Sequence, residues 1–317
     1  MFEITESTKN KDVPDKISFT ERTNYLRAYY RNFKSKLPDP LVYPSKERSD
    51  IFILDFAQGP AGLKAYAAEK FIAEQYKTMG YAAVRVGHAP EAIAFLCEMY
   101  NKNVVFFGAA SKQITPHQAV VLAYKNTNLR FAKIPAMPTM NTWIKNWAQK
   151  YDAVPLPMGL ANTWQVTAGI VNIAETYTQK YGEPTQFYCA VSTGTMIRGL
   201  QLGWPNAEAR GVAVARNIKD GEKGSAEVIS YHKKFYAESD YMPNFNTTST
   251  YDAKAYKHFI DTAKPGAVFI NVGSDAQIEK RLNKIPGWEN INAKREWGDK
   301  SAFDIGYVPN NEEVLFF

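Results

Sequence analysis

Lys64 stands two residues after Gly62, in the turn Gln58-Gly59-Pro60-Ala61-Gly62 that follows the short apolar run Ile51-Phe52-Ile53-Leu54. An Ala-rich stretch with helical character begins around it and runs to about Met79. An amine in a first helical turn feels the positive helix end, and a lowered pKa suits it to imine formation with an aldehyde. The plain alternative is a solvated first-turn lysine. A second segment, Val191-Ser192-Thr193-Gly194-Thr195-Met196, leads from an apolar strand through small hydroxyl residues and one glycine into a helix start. Backbone N–H groups there point at an anion, the helix dipole helps them, and the hydroxyls add donors for phosphate oxygens. The same residues also read as a common N-cap and tight turn. The segment is not a Walker A loop, which needs a Lys directly before the Ser or Thr.

Residues so far apart need a scaffold that gathers turns at one edge. From residue 50 the pattern supplies one. Residues 51–54 and 82–86 read as strands, 64–79 and 91–100 as helices, and 104–107 as a third strand. Strand and helix alternating within so short a span predict right-handed βαβ crossovers and a parallel sheet. The alternation resumes with strands at 129–134, 186–192, 211–215 and 267–272, and helices at 140–150, 166–181, 196–202 and 253–263. In open parallel sheets ligands bind at the carboxyl ends of the strands. Four such ends carry Gly, Ser, Thr, His or Lys: Gly59 to Lys64, Gly87-His88, Ser192 to Thr195, and Gly273-Ser274. Residues 1–50 read as an irregular arm with one helix around 20–34.

The order and spacing of these pieces resemble the fold-type II pyridoxal-phosphate-dependent enzymes, the superfamily of tryptophan synthase β-subunit, cysteine synthase and threonine deaminase. Gly62-Leu63-Lys64-Ala65-Tyr66-Ala67-Ala68 resembles the cofactor-lysine motif, and Gly87-His88-Ala89-Pro90-Glu91-Ala92-Ile93-Ala94 looks like that family's Gly-Asn-His-Ala-Gln-Gly-Val-Ala stretch. Ser192 to Thr195 falls where the family places its glycine-rich phosphate loop, Gly211-Val212-Ala213-Val214 resembles the strand after it, and Asn271-Val272-Gly273-Ser274 resembles the last strand end. The resemblance spans roughly residues 50–275. It implies an α/β, two-lobed parallel-sheet fold, with a large cofactor-binding lobe (1–80 and 160–317) and a small inserted lobe (81–159). It further implies that Lys64 forms the Schiff base with pyridoxal 5'-phosphate and serves as the catalytic base. Ser192, Thr193, Gly194 and Thr195 would hold the phosphate, Ser274 would face the pyridine nitrogen, and His88 would lie against the ring hydroxyl in place of the usual Asn.

The chain also departs from that pattern. Its phosphate loop has one glycine where the family often has three or four, and Arg85-Val86 replaces the Ser or Thr that grips a substrate carboxylate. Arg85 is therefore an expected substrate-binding residue, and Tyr251 and Lys254 join it from Thr248-Ser249-Thr250-Tyr251-Asp252-Ala253-Lys254, which reads as ordinary helix capping but could also line a cleft. The implied activity is that of a lyase or transferase acting at Cα or Cβ of an amino acid, by elimination, replacement, deamination or decarboxylation. Two alternatives stay open: an amino group carried by a nucleotide or modified nucleic acid, and ligand binding without catalysis on the same scaffold.

Composition narrows the field further. The chain has 317 residues, 45% hydrophobic and 22% charged, which is ordinary globular make-up. The formal charge of +6 favours anionic ligands. Yet the basic residues are spread out, and in the densest late stretch (Lys280, Arg281, Lys284, Lys294, Arg295, Lys300) they alternate with Glu279, Glu289, Glu296 and Asp299. That pattern reads as exposed surface rather than a nucleic-acid patch. Cys97 and Cys189 lie in apolar runs with no zinc spacing and no disulfide framework, so both read as buried and reduced. His117, His232 and His258 lack partners at metal-ligand spacing, so no metal is expected. Without an apolar leader or a run long enough to span a bilayer, the expected location is the cytoplasm, with no membrane partner. A homodimer remains open. Trp143, Trp147 and Trp164 read as core.

Overall fold

The structure, a computed structural model, describes residues 19–59, 61–109, 114–132, 137–161, 163–290 and 306–307. Its strands are β1 (Leu41–Pro44), β2 (Phe52–Asp55), β3 (Met79–Ala83), β4 (Val104–Ala109), β5 (Thr127–Ala132), β6 (Val154–Pro155), β7 (Gln186–Val191), β8 (Glu208–Ala213), β9 (Glu227–Ser230), β10 (Val268–Asn271) and β11 (Gly306–Tyr307). They form two sheets, and the chain divides into two compact units: Met1–Phe71 with Gly159–Gln277, and Ile72–Met158 with Ile278–Phe317. These bounds differ from the expected lobes at the first junction, near residue 71 rather than 80, and at the C-terminal end, where residues 278–317 group with the second unit.

The first unit holds a six-stranded sheet in the order β1-β2-β10-β7-β8-β9. Every neighbouring pair is parallel except β1–β2. Strands β7 and β10 are buried along their whole length, as central strands covered on both faces must be. On one face Ile53, Tyr188, Ala190, Val212 and Phe269 pack against Ala255, Tyr256 and Phe259 of the helix Asp252–Thr262. Phe187 alternates to the opposite face and meets Trp204, at the end of the helix Thr195–Gly203, at 5.5 Å between ring centroids. The helix Trp164–Tyr181 crosses the helix Gly62–Ala73 at Gly169, where any Cβ would overlap the Ala67 carbonyl.

The second unit holds the sheet β11-β5-β4-β3-β6, parallel except for β11–β5. Val105, Phe107, Ile144 and Trp147 form its core. Gly80 lets the helix Met137–Lys150 lie directly on β3, since a Cβ there would stand 2.8 Å from the Trp147 ring. That contact explains the largest shift from the sequence reading. The strand expected at 82–86 lies at Met79–Ala83, and the helix before it ends at Ala73 rather than near 79. The strand expected at 129–134 begins at Thr127, and its positions 133–134 lie outside the described residues. Lys294, Arg295, Glu296, Asp299 and Lys300 also lie outside them. Among the described residues no helix is long and apolar enough to cross a membrane.

Candidate functional site

Strands β2, β10 and β7 are neighbours in the first sheet, so the turns that leave their carboxyl ends are neighbours too. Those turns carry Lys64, Ser274 and Ser192 to Thr195, which are separated by up to 210 positions in the chain.

The turn after β2 is strained. Ala61 and Gly62 both have positive φ, at 57° and 67°. A non-glycine residue there is disfavoured by about 1 kcal/mol or more and persists only where its surroundings enforce it. Here the enforcing contact is with β10. Leu63 donates its N–H to the Val272 carbonyl at 2.7 Å, and Gly62 lies so close to the same oxygen that a Cβ would overlap it. The helix that carries Lys64 is thus bonded at its first residues to the end of β10. The Lys64 side chain is partly buried, and its Nζ donates to the Gly159 carbonyl at 2.8 Å. Burial of the amine pushes its pKa down to about 8. Gly159 in turn lies against Thr193, with room for a Cβ only at 3.0 Å from Thr193 Cγ2. One backbone residue therefore links the amine to the loop after β7.

That loop enters the helix Thr195–Gly203 through Gly194, whose φ of 74° is left-handed. The hydroxyls of Thr193 and Thr195 share a hydrogen bond at 3.2 Å. Thr195 is buried, while Ser192 and Thr193 are partly accessible. After β10, Ser274 is 1% exposed, and its Oγ accepts the Ala276 N–H at 3.1 Å. That bond uses a lone pair and leaves the Ser274 O–H as a donor.

A buried polar set holds these ends in place. Asn271 donates to Asp55 Oδ1 and accepts from Thr247, each at 2.8 Å, which ties β10 to β2 by side chains as well as by the ladder. Asp252 accepts the Val272 N–H at 3.0 Å, and burial drives its carboxyl well above the usual range. Tyr251 donates to the Ala190 carbonyl of β7 at 3.3 Å. The pair Tyr251-Asp252 so stitches the ends of β7 and β10 together. Lys254 is 2% exposed, and its ammonium donates to the carbonyls of Lys234 and Phe235 at 2.9 and 3.0 Å. Two of the three N–H donors of that amine are so engaged.

Arg85 and His88 belong to the second unit. Arg85 is exposed in the turn after β3. His88 occupies the N-cap position of the helix Ala89–Met99, buried, with Nδ1 3.6 Å from Glu91 Oε2 and its ring edge-on to His117 at 5.4 Å. Glu91 also accepts the Tyr124 hydroxyl at 3.2 Å. Cys97 and Cys189 are free and fully buried, and burial pushes both thiols up, away from reactivity. Trp147 and Trp164 are buried, at 4% and 7% exposure, as core residues.

Sequence reasoning missed Gly159, Asn271 and the stitching role of Asp252. Asn271 and Asp252 lie beside singled-out residues, where a polar residue at a buried strand end could have flagged them. Gly159 sits in no motif, and only the fold brings it to Lys64.

No family model matches this chain, and no curated protein sequence does. Among solved structures it is similar to an ACC deaminase homologue, at a TM-score of 0.65 and 12% identity, covering 82% of this chain and 99% of that one. It is similar to threonine deaminase isoform 2 from Solanum lycopersicum, at 0.61 and 13%, covering 86% and 96%. It is also similar to a pyridoxal 5'-phosphate-dependent aspartate racemase, at 0.58 and 13%, covering 84% and 99%. The chain has the α/β fold of the fold-type II pyridoxal-phosphate-dependent enzymes, at 12–13% identity to these structures.

Proposed function

We propose that this protein is a pyridoxal-phosphate-dependent enzyme that acts at Cα or Cβ of an amino-acid substrate, as a lyase or transferase, with Lys64 as its cofactor lysine. The observation that carries this reading is the junction of Lys64 Nζ, the Gly159 carbonyl and Thr193: an amine of lowered pKa beside a hydroxyl-rich helix entrance.

The residues present fit the cofactor's chemistry. Gly194 provides a left-handed turn without a Cβ, so the loop backbone can face an anion at the start of a nine-residue helix. The hydroxyls of Ser192, Thr193 and Thr195 supply donors for a phosphate, and the Ser274 O–H supplies one for a pyridine nitrogen. Pyridoxal phosphate, when bound, provides an electron sink that stabilises negative charge at a substrate Cα. The remaining work belongs to the chain. Lys64 would hold the cofactor until the amino group of a substrate takes its place, and the freed amine, with its lowered proton affinity, would take and return the proton at Cα. The Gly159 carbonyl fixes the direction of Nζ. Asn271, Asp252 and Tyr251 keep the three strand ends in register, so that amine, phosphate donors and Ser274 hold constant spacing.

Exchange of the Cα proton for deuterium tests this reading. Wild-type protein with added pyridoxal phosphate is incubated in D2O with each of the common amino acids, and the Cα signal is followed by proton NMR. At least one amino acid is expected to lose that signal with wild type and to keep it with Lys64→Ala. Retention of the signal in every amino acid would overturn action at Cα on this substrate class.

A further inference from the structure

The loop after β7 is braced from behind by another loop. Beyond β8 the chain turns through residues 214–226, with one helical turn at Asp220–Lys223, before β9 begins. Arg198, one turn into the helix Thr195–Gly203 and 5% exposed, donates from Nη1 to the Glu222 carbonyl at 2.9 Å. Gln201 stands nearly a turn further on. It donates to the Lys223 carbonyl at 2.9 Å and accepts from Ser225, through the N–H at 3.0 Å and the hydroxyl at 2.8 Å. The outer side of this brace closes on itself. Arg216 grips the Glu222 carboxylate with both terminal nitrogens, at 2.9 and 2.6 Å, and the Lys219 N–H donates to the same carboxylate at 3.0 Å. The inner side presses on Gly194, where a Cβ would overlap the Glu222 carbonyl and lie 3.0 Å from Arg198 Nη1.

Arg198 is unusual for a buried residue because its hydrogen bond to Glu222 goes to the neutral carbonyl, while Arg216 takes the carboxylate. A guanidinium does not lose its proton in a protein, so a fixed positive charge stands directly behind the anion loop. A loop with a single glycine cannot draw many backbone N–H groups around a phosphate by flexibility alone. Its geometry has to be set from outside.

We propose that Arg198 is a positioning residue of the phosphate loop: it clamps the 216–225 brace onto Gly194, so holding the donors of Ser192 to Thr195 in their anion-binding arrangement, and it adds a buried positive charge behind them. The inference rests on the cofactor reading above. It assigns this chain's preference for a phosphorylated over an unphosphorylated pyridoxal to a brace and a charge rather than to a run of glycines.

The test is the ratio of affinities for pyridoxal phosphate and pyridoxal, measured by quenching of intrinsic fluorescence on wild type, Arg198→Met, Arg198→Lys and Arg216→Gln. Wild type is expected to prefer the phosphorylated compound. Arg198→Met is expected to lose about tenfold or more of that preference, the scale of one charge-assisted contact, with Arg198→Lys in between. If Arg198→Met fails to fold, Arg216→Gln decides, because its side chain is 48% exposed and it loosens the same brace from the surface. Its preference is then expected to fall about threefold or more. An unchanged ratio in folded Arg198→Met, or in Arg216→Gln where it must decide, overturns the role of Arg198 while leaving the cofactor reading intact. Wild type that binds neither compound, or shows no preference, instead defeats the cofactor reading and this inference with it.

Discussion

Substituting Gly62 by Ala should separate two causes that usually act together, backbone strain and collision. Gly62 has φ of 67°, and its Cα faces the Val272 carbonyl so closely that a Cβ would overlap the oxygen and stand 3.4 Å from the Gly273 Cα. Gly266, in the same unit, has φ of 77°, but a Cβ there meets Thr185 only at an ordinary 3.5 Å. Ala at either position bears the left-handed strain, about 1–2 kcal/mol. At Gly62 the carbonyl cannot move freely, because it accepts the Leu63 N–H at 2.7 Å and ends a strand paired on both sides. Relief of the overlap should therefore lose about 1 kcal/mol of hydrogen bonding and add about 1–3 kcal/mol of overpacking. Gly62→Ala should lose roughly 4 kcal/mol in all, and Gly266→Ala less than half of that. Urea unfolding followed by far-UV circular dichroism measures both. Equal losses in the two variants would show that the turn before Lys64 does not depend on its contact with β10.

Two further predictions concern the lysines. Burial lowers Lys64 from the ordinary 10.5 to about 8, so below pH 8 folded and unfolded chains both hold the proton and the folded state bears the full penalty of a buried cation. Between pH 8 and 10.5 the unfolded chain binds more protons, and stability rises with pH. The stability advantage of Lys64→Met over wild type should be largest at pH 7 and shrink toward pH 10, and a gap constant over that range would refute the lowered pKa. Lys254→Met strands the Lys234 and Phe235 carbonyls and should lose about 2 kcal/mol, with faster amide exchange across residues 231–236; a raised KM without those changes would instead assign Lys254 to substrate.

The parallel-sheet scaffold was legible because its central strands carry short apolar runs followed by glycine turns, as in Ile51 to Leu54 and Phe187 to Val191. The turns that leave β2, β7 and β10 could be picked out by residue type for the same reason. Edge strand β1 was not legible because Pro40 and Pro44 bracket so short a run, and β9 was not because Glu227 and Ser230 break its apolar pattern. The position of β3 was misread by three residues, since Gly80 looks like a turn residue until Trp147 is seen packed on it. Contacts made through backbone carbonyls, such as Gly159 on Lys64 and Glu222 on Arg198, leave no sequence signal, because every residue type has a carbonyl.

The central claim is that Lys64 binds the aldehyde of pyridoxal phosphate. The most direct measurement is the visible absorption spectrum of wild type and Lys64→Ala with the cofactor added, before and after borohydride. A band at ~420 nm is expected in wild type only, abolished by borohydride. Its absence from both proteins, or an equal band in Lys64→Ala, would contradict the claim.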